Sequence, residues 1–118
     1  MGSMLETPNI TVREGTTDRI IMQLLADDTA IDLTDVDHVE LELRDLRRNT
    51  YKYSSGDASP KVGVSSALDG KVFLDPPSSL FKAVLSPYTL YWLIYEDATT
   101  WYGVPEEIEA LIQVRRNY

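Results

Sequence analysis

The stretch His38-Val39-Glu40-Leu41-Glu42-Leu43-Arg44 alternates without a break between apolar and polar residues. Extended, it sends Val39, Leu41 and Leu43 to one face and His38, Glu40, Glu42 and Arg44 to the other. On a helix the same apolar residues would be scattered around the axis, so the stretch reads as a half-buried strand. An apolar strand face must be covered by another layer, which points to a chain built from packed sheets.

The rest of the chain repeats this signal. Residues 10–13 are short and β-branched. Residues 18–26 carry Ile20, Met22 and Leu24 on one face, and Ile21 and Leu25 on the other. Residues 61–65 contain Val62 and Val64, and residues 71–74 follow Asp69-Gly70, a pair whose tolerance of positive φ marks a hairpin turn. Residues 88–95 are apolar or aromatic on both faces, as in a central strand. Residues 100–104 follow after a short connection and could pair back onto them. In residues 107–114, Ile108, Ala110, Ile112 and Val114 form an inner face, although Glu, Ala and Leu keep a helix open there. Asp75-Pro76-Pro77 ends a strand, because proline cannot donate to a ladder. Residues 78–84 read as a short helix or an irregular edge, and the polar residues 49–60 as a long hairpin loop. The expected fold is all-β: an antiparallel β-sandwich of roughly seven to nine strands.

A chain of 118 residues fits one domain and can bury a core without staples. Residues 4–118 are read as that domain, and Met1-Gly2-Ser3, before a second methionine at Met4, as an expression scar. With no cysteine, disulfides and Cys-based zinc sites are excluded. No apolar run reaches the ~20 residues that span a bilayer, and no basic segment followed by an apolar one opens the chain as a signal peptide would. The net charge of −8 argues against nucleic acid and against an anionic membrane surface as partners, since both call for clustered Lys and Arg.

Little in the sequence points to chemistry. His38 is the sole histidine. It lies near Asp35 and Asp37, but no Gly-x-Ser-x-Gly elbow accompanies it, so a solvated strand histidine is preferred over a catalytic base. Residues 27–37 hold five aspartates, the best place for calcium. Their spacing does not match a calcium loop, and Ile31, Leu33 and Val36 interrupt them, so turns and caps are the expected role. No catalytic residue, cofactor or metal is expected. Aromatic residues crowd the C-terminal third. Trp101 and Tyr102 are adjacent, so on a strand they face opposite sides and one of them nears the surface. Together with Ile10 and Val12 of a short edge strand, they are the candidate interface residues.

One ordered set of features resembles a known family. Ile10-Thr11-Val12-Arg13-Glu14-Gly15-Thr16-Thr17-Asp18 opens it, followed by Ala30-Ile31-Asp32-Leu33-Thr34 before the strand His38–Arg44. Asp69-Gly70-Lys71-Val72, Ser86-Pro87-Tyr88 and the closing Ile112-Gln113-Val114 follow. Over residues 8–115 this resembles the immunoglobulin-like N-terminal domain of phage baseplate upper proteins. Members of that family continue into a linker or coiled region, so the chain reads as one domain of such a protein or as a free-standing small phage protein. The resemblance implies an immunoglobulin-like sandwich and a structural role, docking onto other phage tail or baseplate proteins or onto copies of itself. It implies a place in the virion after assembly in the host cytoplasm, and supplies no catalytic residues. The alternative is a carbohydrate-binding or adhesin-type sandwich, whose marker would be two exposed coplanar aromatics with a calcium loop.

Overall fold

The computed structural model describes the backbone of residues 5–6 and the whole of residues 9–105 and 110–116. The scar assigned to Met1-Gly2-Ser3 and the inner-face role of Ile108 therefore lie outside the described residues. Among the described residues twelve strands and one 3₁₀ turn run in chain order: β1 (Leu5–Glu6), β2 (Ile10–Arg13), β3 (Ile20–Gln23), β4 (Leu25–Ala26), β5 (Thr29–Ala30) and β6 (His38–Arg44), then β7 (Thr50–Ser54), β8 (Val62–Ser66), β9 (Lys71–Leu74), the 3₁₀ turn Ala83–Leu85, β10 (Tyr88–Tyr95), β11 (Trp101–Val104) and β12 (Ala110–Arg115). No α-helix occurs among the described residues.

The largest sheet has the order β2-β12-β10-β6-β7, with β11 also paired to β10. β12 covers the first half of one side of β10 and β11 the second half, from Tyr88↔Ile112 to Tyr95↔Trp101. β6 runs along the other side from Thr89↔Arg44 to Tyr95↔His38. β2 lies parallel to β12 and all the other pairings are antiparallel. A second sheet has the order β3-β9-β8 and a small third one β1-β4-β5.

Met22, Val62, Val72 and Leu74 of the second sheet share one buried cluster with Val39, Leu41, Leu43, Leu90, Trp92 and Ile94 of the first. The protein is thus all-β, with several sheets, compatible with a β-sandwich. The alternation of residues 38–44 is kept in space, since Val39, Leu41 and Leu43 are fully buried. Ala110, Ile112 and Val114 are buried as well, so the strand alternative wins over the helix for the described part of that segment.

Two local differences from the sequence reading have physical reasons. Residues 50–54 are a strand, not loop: they pair with β6 as Leu43↔Tyr51 and Leu41↔Tyr53, which packs both tyrosines against the core. Their polar neighbours Thr50, Lys52 and Ser54 hid the period. The stretch 18–26 is divided, because Leu24 bonds through its N–H to Gly70 O while Leu25 and Ala26 join β1 and β5. Residues 78–80 form a turn and Ala83–Leu85 the 3₁₀ turn, so the short-helix alternative for residues 78–84 holds only at their end.

Buried Asp45 organises the β6–β7 turn. Its Oδ1 accepts the N–H groups of Arg47 and Asn49 at 2.9 and 3.0 Å, and its Oδ2 accepts Asn49 Nδ2 at 2.9 Å and Tyr51 Oη at 2.8 Å. Burial works against the charge, but the bonds from Asn49, Tyr51 and Arg47 outweigh it and hold the carboxyl below its usual range. Burial and this carboxylate together push the Tyr51 hydroxyl up to about 12.

A candidate docking surface on the largest sheet

Strand β10 is central in hydrogen bonding, yet its two faces differ in cover: one is buried, and on the other Tyr91 is exposed while Thr89, Leu93 and Tyr95 are half-buried. Tyr88, Leu90, Trp92 and Ile94 are buried, whereas Thr89, Tyr91, Leu93 and Tyr95 point to the other side. An apolar residue at every outward position from 91 to 95 is unusual for a solvated face. Register places Tyr95 between His38 of β6 and Trp101 of β11. The His38 and Tyr95 rings stack at 4.2 Å between centroids and 15° between planes. Trp101 follows at 6.3 Å, tilted by 37°.

Trp101 is 49% exposed and Tyr91 38%. Tyr91 leans across Gly103: a Cβ built there would run into the Tyr91 hydroxyl and ring, so the ring occupies the space that any side chain at position 103 would need. Covering a strand glycine with a cross-strand ring protects that stretch of backbone and flattens the local surface. The outer face of the second sheet is partly covered by its own residues, although Ile21 stays exposed there. There Phe73 covers Gly63, and the Arg19 guanidinium lies 3.9 Å above the Phe73 ring while pairing with Asp75 at 2.8 and 2.9 Å.

His38 takes part in this surface as a ring held between two carboxylates. Its Nδ1 lies 2.6 Å from Asp37 Oδ2 and its Nε2 3.2 Å from Glu40 Oε2. The bond to Asp37, against some desolvation and with help from Glu40, raises its pKa above the ordinary histidine value. Both ring nitrogens thus face carboxylates, and no serine hydroxyl bonds to either among the described residues. A folded-state pKa raised above the unfolded value of about 6.5 means that the stabilisation is complete below that pH and is lost as pH rises through the folded pKa. The His38 ring protons should therefore titrate above pH ~6.5 by NMR, and stability should fall between that pH and the titration midpoint. A His38→Gln variant should lack this dependence. A midpoint at or below the unfolded value would show that the two carboxylates do not hold the proton.

The candidate residues separate in space. Trp101 lies on the open face. Tyr102, its neighbour, packs on the core and lines a pocket of about 410 Å³ with Asp32, Asp35, Val36 and Glu96. Ile10 and Val12 turn their side chains toward the core, so at that edge the sheet offers backbone rather than apolar side chains. The aspartates of residues 27–37 do not converge: no three acidic or histidine side chains could share a metal among the described residues. Asp32 instead accepts the N–H and hydroxyl of Thr34, which hold its pKa below the usual range. Tyr91, Leu93 and Tyr95 were not singled out from sequence as surface residues, although their period was visible. Alternation separates two faces without saying which of them a second layer covers.

No protein-family model matches the chain, and no curated protein matches it in sequence.

Proposed function

We propose that the chain is a non-catalytic, immunoglobulin-like docking module of a phage or prophage tail or baseplate. The open aromatic face of β10 and β11 carries the docking reading. Aromatic side chains bring large buried area at little entropic cost and dominate interface hot spots. The immunoglobulin-like reading is supported by the strand order and by Tyr88 at the start of β10. Its hydroxyl donates to Leu80 O at 2.7 Å and accepts the Lys82 N–H at 3.0 Å, the arrangement of a tyrosine corner. The tail or baseplate assignment rests on the ordered resemblance of residues 8–115 described above. Sugar binding is less well supported, because Tyr95 and Trp101 are tilted rather than coplanar and no group of side chains that could hold a metal adjoins them among the described residues.

The test is co-purification and light scattering with the products of neighbouring tail genes. Trp101→Ala and Tyr91→Ala should each weaken complex formation by about 2 kcal/mol, roughly thirtyfold, with melting temperatures little changed because both rings are partly solvated. A protein that binds none of these products, or binds them equally well with both rings removed, would sink the reading.

A further inference from the structure

The topology sorts the charges to opposite ends of the strands. At the end where β10 begins lie Arg13, Arg47, Arg48, Lys82, Arg115 and Arg116. They are gathered there by the Arg13↔Arg115 pairing of β2 with β12, by the Leu46 N–H bond to Leu85 O, and by the Lys82 N–H bond to Tyr88 Oη. None of the six forms an ion pair among the described residues. The acids nearby are engaged internally: Glu14 accepts the Ala83 N–H, Asp45 organises its turn and Asp75 pairs with Arg19, leaving Asp18. At the other end lie Asp32, Asp35, Asp37, Asp69, Glu96 and Asp97, which outnumber the neighbouring His38, bonded to Asp37, and Lys71. These are joined by the Asp37 N–H bond to Tyr95 O, the shared pocket of Asp32, Asp35 and Glu96, and the Leu33 N–H bond to Ala67 O.

Each end also exposes at least one large apolar side chain. Leu46 and Val84, 60% and 59% exposed, stand among the arginines, on turns linked by the Leu46–Leu85 bond. Leu68, 74% exposed, stands at the acidic end. Three of the six large apolar residues exposed among the described residues, Leu46, Val84 and Leu68, therefore sit at the two ends, apart from the sheet face that carries Tyr91 and Trp101. An acidic end alone would be an ordinary solvated surface. Two ends of opposite sign, each with an apolar centre, fit one another.

We infer that the acidic end of one copy docks onto the basic end of the next, head to tail. The net charge of −8 does not forbid this. At 0.1 M salt the screening length is about 10 Å, well below the 42 Å longest extent of the domain, so an approaching copy senses the facing end and not the whole. Apolar contact supplies affinity, and charge supplies encounter rate and polarity. Such a contact is heterologous, so it leaves both outer ends free and produces a ring or a filament rather than a closed dimer. It uses the strand ends, not the sheet face proposed above, so copies in a ring would still present that face to a tail partner.

Sedimentation velocity on the full chain tests this with two charge reversals, Arg47→Glu/Arg48→Glu and Glu96→Lys/Asp97→Lys. The wild type should grow beyond a dimer at low salt and associate roughly tenfold more weakly at high salt. Each reversal should leave a monomer, since the altered end then sets like charges against the unaltered end of the next copy and keeps only a small part of its net charge. Mixing the two should restore association, which a folding defect could not do. A wild-type protein that stays monomeric at low salt, reversals without effect, or a mixture that stays monomeric would each overturn the inference. All three outcomes are independent of whether Tyr91 and Trp101 bind a tail protein.

Discussion

Replacing Trp92 by alanine should cost about 3–5 kcal/mol, measured by urea denaturation. Trp92 is the largest of the fully buried side chains and lies in the middle of β10. Its removal leaves a hole between two sheets whose backbones are held in register by their ladders, so collapse around it is limited. A domain of this size is stable by only about 5–15 kcal/mol, so the variant should be close to unfolding or past it. The indole N–H has no hydrogen-bond partner among the described residues, so burying it yields no compensating bond. Trp92→Phe, which keeps much of the volume and removes the unpaired donor, should therefore cost far less than Trp92→Ala. A loss below ~1 kcal/mol for the alanine variant would place the ring outside the core.

Gly70→Ala should be destabilising by about 3–4 kcal/mol, combining a left-handed backbone with overpacking. Gly70 has φ of +64°, and a Cβ there would meet Ile31 O at 2.7 Å, Leu24 O at 2.8 Å and Ile31 N at 2.9 Å. All three are backbone atoms, so no side chain can rotate away. The same glycine accepts the Leu24 N–H, and the clash thus falls where the β8–β9 hairpin is tied to β3. Gly15→Ala separates the two contributions. Gly15 has φ of +75°, but its nearest neighbour would be Ser78 O at 3.8 Å, so only the conformational cost of about 1–2 kcal/mol applies. Equal losses at the two positions would mean that the close approach at Gly70 relaxes freely.

Side-chain period and turn chemistry are local properties, and these were legible in the sequence. The alternation of residues 38–44 assigned Val39, Leu41 and Leu43 to the core. Asp69-Gly70 marked a hairpin because its positive φ is required by the turn itself. The two-sided apolar character of residues 88–95 identified a central strand. Strand β7 escaped because Tyr51 and Tyr53 alternate with three polar residues, and only pairing with β6 decides that the tyrosines turn inward. The open aromatic face escaped for a related reason. Period two divides Tyr91, Leu93 and Tyr95 from Leu90, Trp92 and Ile94, but both sets are apolar, and which set a second sheet covers depends on how the layers stack. The charge separation is the clearest case of a property that only tertiary structure decides. Arg13, Arg47, Lys82 and Arg115 are spread over almost the whole chain, and they meet because parallel pairing of β2 with β12 and antiparallel pairing of β6 with β10 return four distant segments to one end.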